Sequence, residues 1–163
     1  MDFLVAIENT GLATWIRESP SLLAYPLVLF LHAVGLALVV GFNAALDLRI
    51  LGVGSDIPIA PMERFYPVMV VGFWINAISG ASLLLADAAT MLTDPLFYTK
   101  LALILLAVMN LVLLRKQLLL DPYVDKRPLP TNAKILAATS LLLWGGAITA
   151  GRLTAYLGSR VIT

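Results

Sequence analysis

The sequence predicts an all-α fold: a four-helix transmembrane bundle with a short N-terminal interfacial helix. Three observations carry that reading. The 163-residue chain is 60% hydrophobic and 13% charged, with a mean hydropathy of +0.92, whereas a soluble domain has about 25% charged and about 45–50% apolar residues. Four separate apolar stretches each reach the roughly 20 helical residues that a bilayer core of about 30 Å requires. Between them lie short segments of glycine, proline and aspartate, which stop helices. The formal net charge of +1 creates no basic field for nucleic acid. Cysteine is absent, which excludes disulfides, thiolate metal sites and cysteine nucleophiles.

The chain opens with "MDFLVAIENTGLATWIRESP". Asp2 and Glu8 precede any basic residue, so a cleavable leader is not expected. Phe3, Leu4, Ile7, Leu12, Trp15 and Ile16 suit the apolar side of a helix lying at the membrane surface, with Trp15 and Arg17 at headgroup level. Pro20 ends it.

The spans are expected at about residues 22–48, 65–89, 96–119 and 133–157, within a single domain covering 1–163. "GVGSDIPIAP" (52–61) separates the first two. "ATMLTDP" (89–95) reads as a short turn, with Thr93 or Asp94 capping the third helix and Pro95 at its first position. "DPYVDKRPLPTN" (121–132) is the longest polar connection, and Asn132 is expected to cap the fourth helix. Arg49, Arg64, Arg115, Lys116, Lys126, Arg127 and Lys134 flank the first and third connections. Arg17, Lys100, Arg152 and Arg160 lie toward the other side. This bias places the first and third connections in the cytoplasm and both termini in the periplasm.

Polar residues within the spans indicate the inward faces, because lipid offers them no partner. His32, Asn43 and Asp47 fall within roughly 60° of one another at about 100° per residue, and Tyr25 and Gly35 lie near the same stripe. Met69, Gly72, Asn76, Ser79, Gly80, Leu83 and Asp87 share a face of the second span, where small residues admit a neighbouring backbone. Asn76 falls at the depth of His32, and the two are expected to hydrogen-bond. Asn110 falls near the level of Asn43 and Asp47. Gly145, Gly146 and Gly151 promote close packing on the fourth span. Asp87 and Arg152 are the favoured ion pair, with Lys100 as an alternative partner for Asp87. Asp47 and Arg49, at a span end, are expected to snorkel toward headgroups.

These side chains serve equally as interhelical hydrogen-bonding glue, at about 0.6 kcal/mol per bond. His32, the chain's one histidine, has three readings: a packed hydrogen-bonded side chain, a proton-handling or quinone-contacting group, or a haem b axial ligand. In the haem reading Gly35, Gly72 and Gly80 make room for the porphyrin, and His32 binds alone, with a methionine such as Met69 or Met109, or with a ligand from another chain, because no second histidine exists. A metal site built on one histidine and distant carboxylates is poorly supported. There is no phosphate-binding glycine loop, no HExxH and no nucleophile triad. No inverted repeat marks a transporter.

The segments "WIRESP", "LHAVGLALVVG", "DLRILG", "FYTKLALILLAVMN" and "LLLWGGAITAGRLTAY" together resemble an uncharacterised family of small bacterial four-helix membrane proteins, a domain of unknown function. The resemblance covers most of the chain and implies a bundle in the bacterial inner membrane. More distantly, the first-span histidine followed by glycines is similar to the copper-resistance D type and other cytochrome-b-like bundles. That likeness implies a second histidine just after the third-span asparagine, and "NLVLLRKQ" has none. The expected role is a non-catalytic membrane subunit or anchor, in contact with the lipid bilayer, that joins a second copy of itself or a larger respiratory or redox complex. The alternatives are a small haem- or quinone-based electron-transfer subunit centred on His32, and a proton or ion path. That path would run from the Asp87/Arg152 level through His32, Asn76 and Asn43 to Asp47.

Overall fold

A computed structural model describes residues 2–158. Its helices are α1 (Asp2–Glu8), α2 (Gly11–Glu18), α3 (Tyr25–Ile50), α4 (Tyr66–Ala86), α5 (Ala88–Thr93), α6 (Pro95–Leu114) and α7 (Thr131–Gly158), and the described residues contain no strand. A 3-10 run-in, Ala60–Phe65, leads into α4, and a π-helical turn, Arg115–Leu119, prolongs α6. Four helical segments are long and apolar enough to cross a membrane: Tyr25–Ile50, Ala60–Ala86, Pro95–Leu119 and Thr131–Thr154. Arg160, counted in the charge bias above, lies outside the described residues.

Helix ends follow the local chemistry. Proline sits in the first turn of α3, α4 and α6, where its missing N–H costs nothing and its fixed φ suits the helix. Asp94, not Thr93, caps α6, accepting from the Leu96 N–H at 2.8 Å. The segment read as a plain turn contains α5, because α4 stops at Ala86 and the chain kinks at Asp87 (φ −145°, ψ 50°) before winding again. The N-terminal arm is two short helices, broken around Asn9 and Thr10. Asn132 lies inside the first turn of α7 rather than at its cap, since the helix already begins at Thr131.

Helix α3 packs on α4, α6 packs on α7, and a contact between α3 and α7 joins the two pairs. We call the end where α3 and α6 begin the upper end. The α3–α4 contact brings two backbones together. A Cβ added at Gly35 would lie 2.6 Å from the Asn76 nitrogen and 2.7 Å from the Gly72 carbonyl oxygen. Large apolar side chains such as Ile78, Leu105 and Leu142 point outward, as expected of helices solvated by lipid.

Two apolar clusters fill the interior. The lower one contains Leu46, Ile50, Leu114, Leu118, Ala133 and Ala137. The upper one contains Val39, Ala107 and Trp144, with Leu36, Phe73, Ile104 and Leu143 against it. Beneath the lower cluster the connections clasp each other. Asp125 accepts from the Ile59 N–H at 2.7 Å and the Ala60 N–H at 3.0 Å, capping the 3-10 turn from the far loop. Glu63 Oε1 accepts from Arg115 Nε at 3.0 Å and Nη2 at 2.6 Å, while the guanidinium lies 3.9 Å from the Tyr66 ring centroid. Asp121 is held below the usual carboxylate range by the Tyr123 backbone N–H and then by Arg127. Asp125→Ala is expected to cost about 1–2 kcal/mol, the usual worth of a cap. That should appear as a fall of roughly 2–8 °C in the thermal midpoint of the detergent-purified protein. An unchanged midpoint would show that the clasp contributes nothing.

Candidate functional site

A half-open cavity of about 830 Å³ opens between the helices at the upper end, within the usual range for small-molecule sites. Its walls bring together His32 and Leu36 from α3, Asn76 and Leu83 from α4, Lys100 and Ile104 from α6, and Ala147, Gly151 and Arg152 from α7. Asp87 and Met91 line it at the α4–α5 break, and Glu8 and Arg17 line it from the N-terminal helices. Two bonds hold that arm in place. The Ala89 N–H donates to Glu8 Oε1 at 2.7 Å, and Arg17 donates to the Ala86 carbonyl at 3.4 Å.

His32 and Asn76 form the expected contact, and it is reciprocal. The Asn76 side-chain amide donates to the His32 carbonyl at 2.8 Å, and His32 Nδ1 lies 3.0 Å from the Asn76 carbonyl. A carbonyl can only accept, so Nδ1 carries the proton. Ser79 is consistent with this assignment. Its Oγ lies 3.2 Å from Nδ1, and its own hydrogen is directed to the Ile75 and Asn76 carbonyls. The imidazole therefore leaves Nε2 as a lone-pair acceptor, with no hydrogen-bond partner among the described residues. Gly80 makes this placement possible: a Cβ there would stand 3.0 Å from His32 Cε1.

Neither expected ion pair of Asp87 forms. The ion pairs among the described residues are Arg17–Glu18, Arg115–Glu63 and Arg127–Asp121. Asp87 sits in the kink after α4, while the Arg152 guanidinium lies over the Tyr156 ring, 5.5 Å from its centroid. Lys100 lays its stem along Gly151, whose added Cβ would lie 3.4 Å from Cδ and Cε. Its ammonium has no hydrogen bond or ion pair among the described residues.

Of the residues expected to complete a haem site, Gly35, Gly72, Met69 and Met109 do not line the cavity that holds His32. Gly35 and Gly72 are taken up by the α3–α4 backbone contact. Met69 is buried elsewhere on α4, and Met109 faces outward. Met91 is the methionine that shares the cavity with His32, and nothing in its sequence context singled it out.

The second polar group lies lower in the bundle. Asn43, Asp47 and Ser140 are fully buried and Asn110 nearly so. Asn43 Nδ2 donates to Asp47 Oδ2 and to Ser140 Oγ, both at 2.6 Å, and Asn110 Nδ2 donates to the Leu136 carbonyl at 3.0 Å. Asp47 therefore does not snorkel, because its helix face meets α7. Arg49, two residues on, turns away to the Ser55 and Ile57 carbonyls. The expected polar path from the cavity to Asp47 is interrupted. The Val39–Ala107–Trp144 cluster fills the interior between them, and His32 and Asn43 are about 16 Å apart along α3 at 1.5 Å per residue. No family model, curated protein or solved structure matches the chain.

Proposed function

We propose that the chain is a non-catalytic integral membrane subunit whose upper cavity binds a quinone or quinol drawn from the lipid phase. The observation that carries this reading is the unpartnered Nε2 of His32 in the same cavity as the unpaired ammonium of Lys100. A quinone carbonyl accepts from an ammonium, and a quinol hydroxyl donates to an imidazole lone pair, so the two groups serve the two redox forms. Leu29, Leu36, Leu83, Ile104 and Ile148 supply apolar wall. Arg17, Lys100 and Arg152 face Glu8 and Asp87, three cations against two carboxylates, which suits a neutral headgroup better than a multivalent anion. The bias of basic residues toward the lower connections supports an orientation with the upper end outside the cytoplasm, and the bacterial inner membrane rests on the family resemblance. The short helices α1 and α2, with Trp15 exposed, would then lie at that interface. Association with a redox complex rests on the distant resemblance to cytochrome-b-like bundles.

Titration of the detergent-purified protein with decylubiquinone tests the reading, because Ile104 of the cavity wall packs against the cluster that contains Trp144, whose fluorescence reports a quinone nearby. Saturable quenching is expected. Lys100→Met should weaken it at least about tenfold, the worth of a hydrogen bond to a charged group, and His32→Ala about fivefold. Identical titrations in the wild type and in both folded variants would overturn it. So would a b-type band in the reduced-minus-oxidised spectrum, which would assign His32 to haem.

A further inference from the structure

We infer that the buried layer formed by Asn43, Asp47, Asn110 and Ser140 is a binding site for a desolvated monovalent cation of sodium size. It is separate from the cavity and does not depend on what the cavity holds.

Asn43 on α3 falls between Val39 and Leu46, Asn110 on α6 between Ala107 and Leu114, and Ser140 on α7 between Ala137 and Trp144, so these three lie between the two apolar clusters, while Asp47 stands one turn below Asn43, level with the lower cluster between Leu46 and Ile50. Asn43, Asp47 and Ser140 are 0% exposed and Asn110 is 5% exposed. Asn43 Oδ1, Asp47 Oδ1 and Asn110 Oδ1 nonetheless accept no hydrogen bond. Such atoms are costly inside a protein and are nearly always served. The amide of Asn43 cannot be turned to relieve this, because its nitrogen is needed against the Asp47 carboxylate.

Charge selects the ligand. Asp47 forms no ion pair, and the neighbouring Arg49 and Arg115 are committed to loop carbonyls and to Glu63. In its ionised form Asp47 is one carboxylate among neutral amide and hydroxyl oxygens and carries a single negative charge, which a monovalent ion cancels. Calcium sites gather several carboxylates, and magnesium keeps its waters. A lone water molecule brings two protons, whereas a cation is held by carboxylate and amide oxygens alike. The ligand set is hard oxygen, which selects alkali over transition metals. The described residues contain no cluster of three histidine, cysteine or acidic side chains for the latter. The indole N–H of Trp144, one turn above, is a donor and is not a ligand.

The test uses the full chain in mild detergent. Its thermal midpoint is followed as sodium chloride replaces N-methylglucamine chloride at constant ionic strength. A saturable rise of roughly 5 °C or more is expected, as for a ligand that binds only the folded state. Asp47→Asn should abolish the rise. Asn110→Leu, on a different helix, should raise the half-saturating sodium concentration several-fold, and it serves as the second variant if Asp47→Asn does not fold. A wild-type midpoint that ignores sodium overturns the inference, whether or not it rises on acidification. An undiminished sodium response in either variant also overturns it.

Discussion

Gly35→Ala is expected to destabilise the bundle by about 3 kcal/mol or more, a large effect for one added methyl group. Overpacking an ordinary core costs about 1–3 kcal/mol, because side chains can shift into new rotamers. Here the added carbon would stand 2.6 Å and 2.7 Å from backbone atoms of α4, which cannot rotate aside. Relief requires α3 and α4 to separate, and that pulls apart the reciprocal His32–Asn76 bonds one turn away. A fall of roughly 6–12 °C in thermal midpoint is anticipated, together with weaker quinone quenching. A variant with wild-type stability would mean that the helices do not approach as closely as described.

The second large effect concerns Asn43. A neutral hydrogen bond between membrane helices averages about 0.6 kcal/mol and reaches about 1.7, so the loss of such a bond alone would be barely visible. Asn43→Leu does more, because it leaves a fully buried carboxylate without its 2.6 Å donor. Losing the donor to a buried charged group costs about 1.5–3 kcal/mol. Replacing both partners by apolar groups removes that penalty. The double variant Asn43→Leu with Asp47→Leu should therefore be more stable than Asn43→Leu alone, a coupling that a double-mutant cycle measures. If the two changes simply add, Asn43 does not support the charge of Asp47.

The helices are legible in the sequence because a span's length and composition are properties of one segment, and the expected boundaries fall within a few residues of the observed helices. The shared depth of His32 and Asn76, and of Asn43 and Asn110, is legible too, since rise per residue converts sequence position into depth. What one segment cannot show is rotation relative to its neighbour. Asp47 has the spacing of a snorkelling residue, yet α3 turns that face toward α7. Ser140 carries no mark of its role, since a serine in an apolar helix is equally at home bonding its own backbone. The cavity is invisible in advance for a related reason. Its upper wall comes from Glu8 and Arg17, and only the kink at Asp87 brings the α4–α5 break to them. Gly35 was a candidate for cofactor space, and the same absence of a side chain proves to seat another helix.

The seam between the two helix pairs has a bearing on how the chain is made. Asn43 and Ser140 are 97 residues apart, and synthesis at about 5–20 residues per second separates their emergence by roughly 5–20 s. The first hairpin must wait in the lipid through that interval with Asn43 and Asp47 bonded only to each other. Any chaperone or insertase that shields a polar helix face until its partner arrives would act on the half-built protein at this point, and the last hairpin to enter would release it.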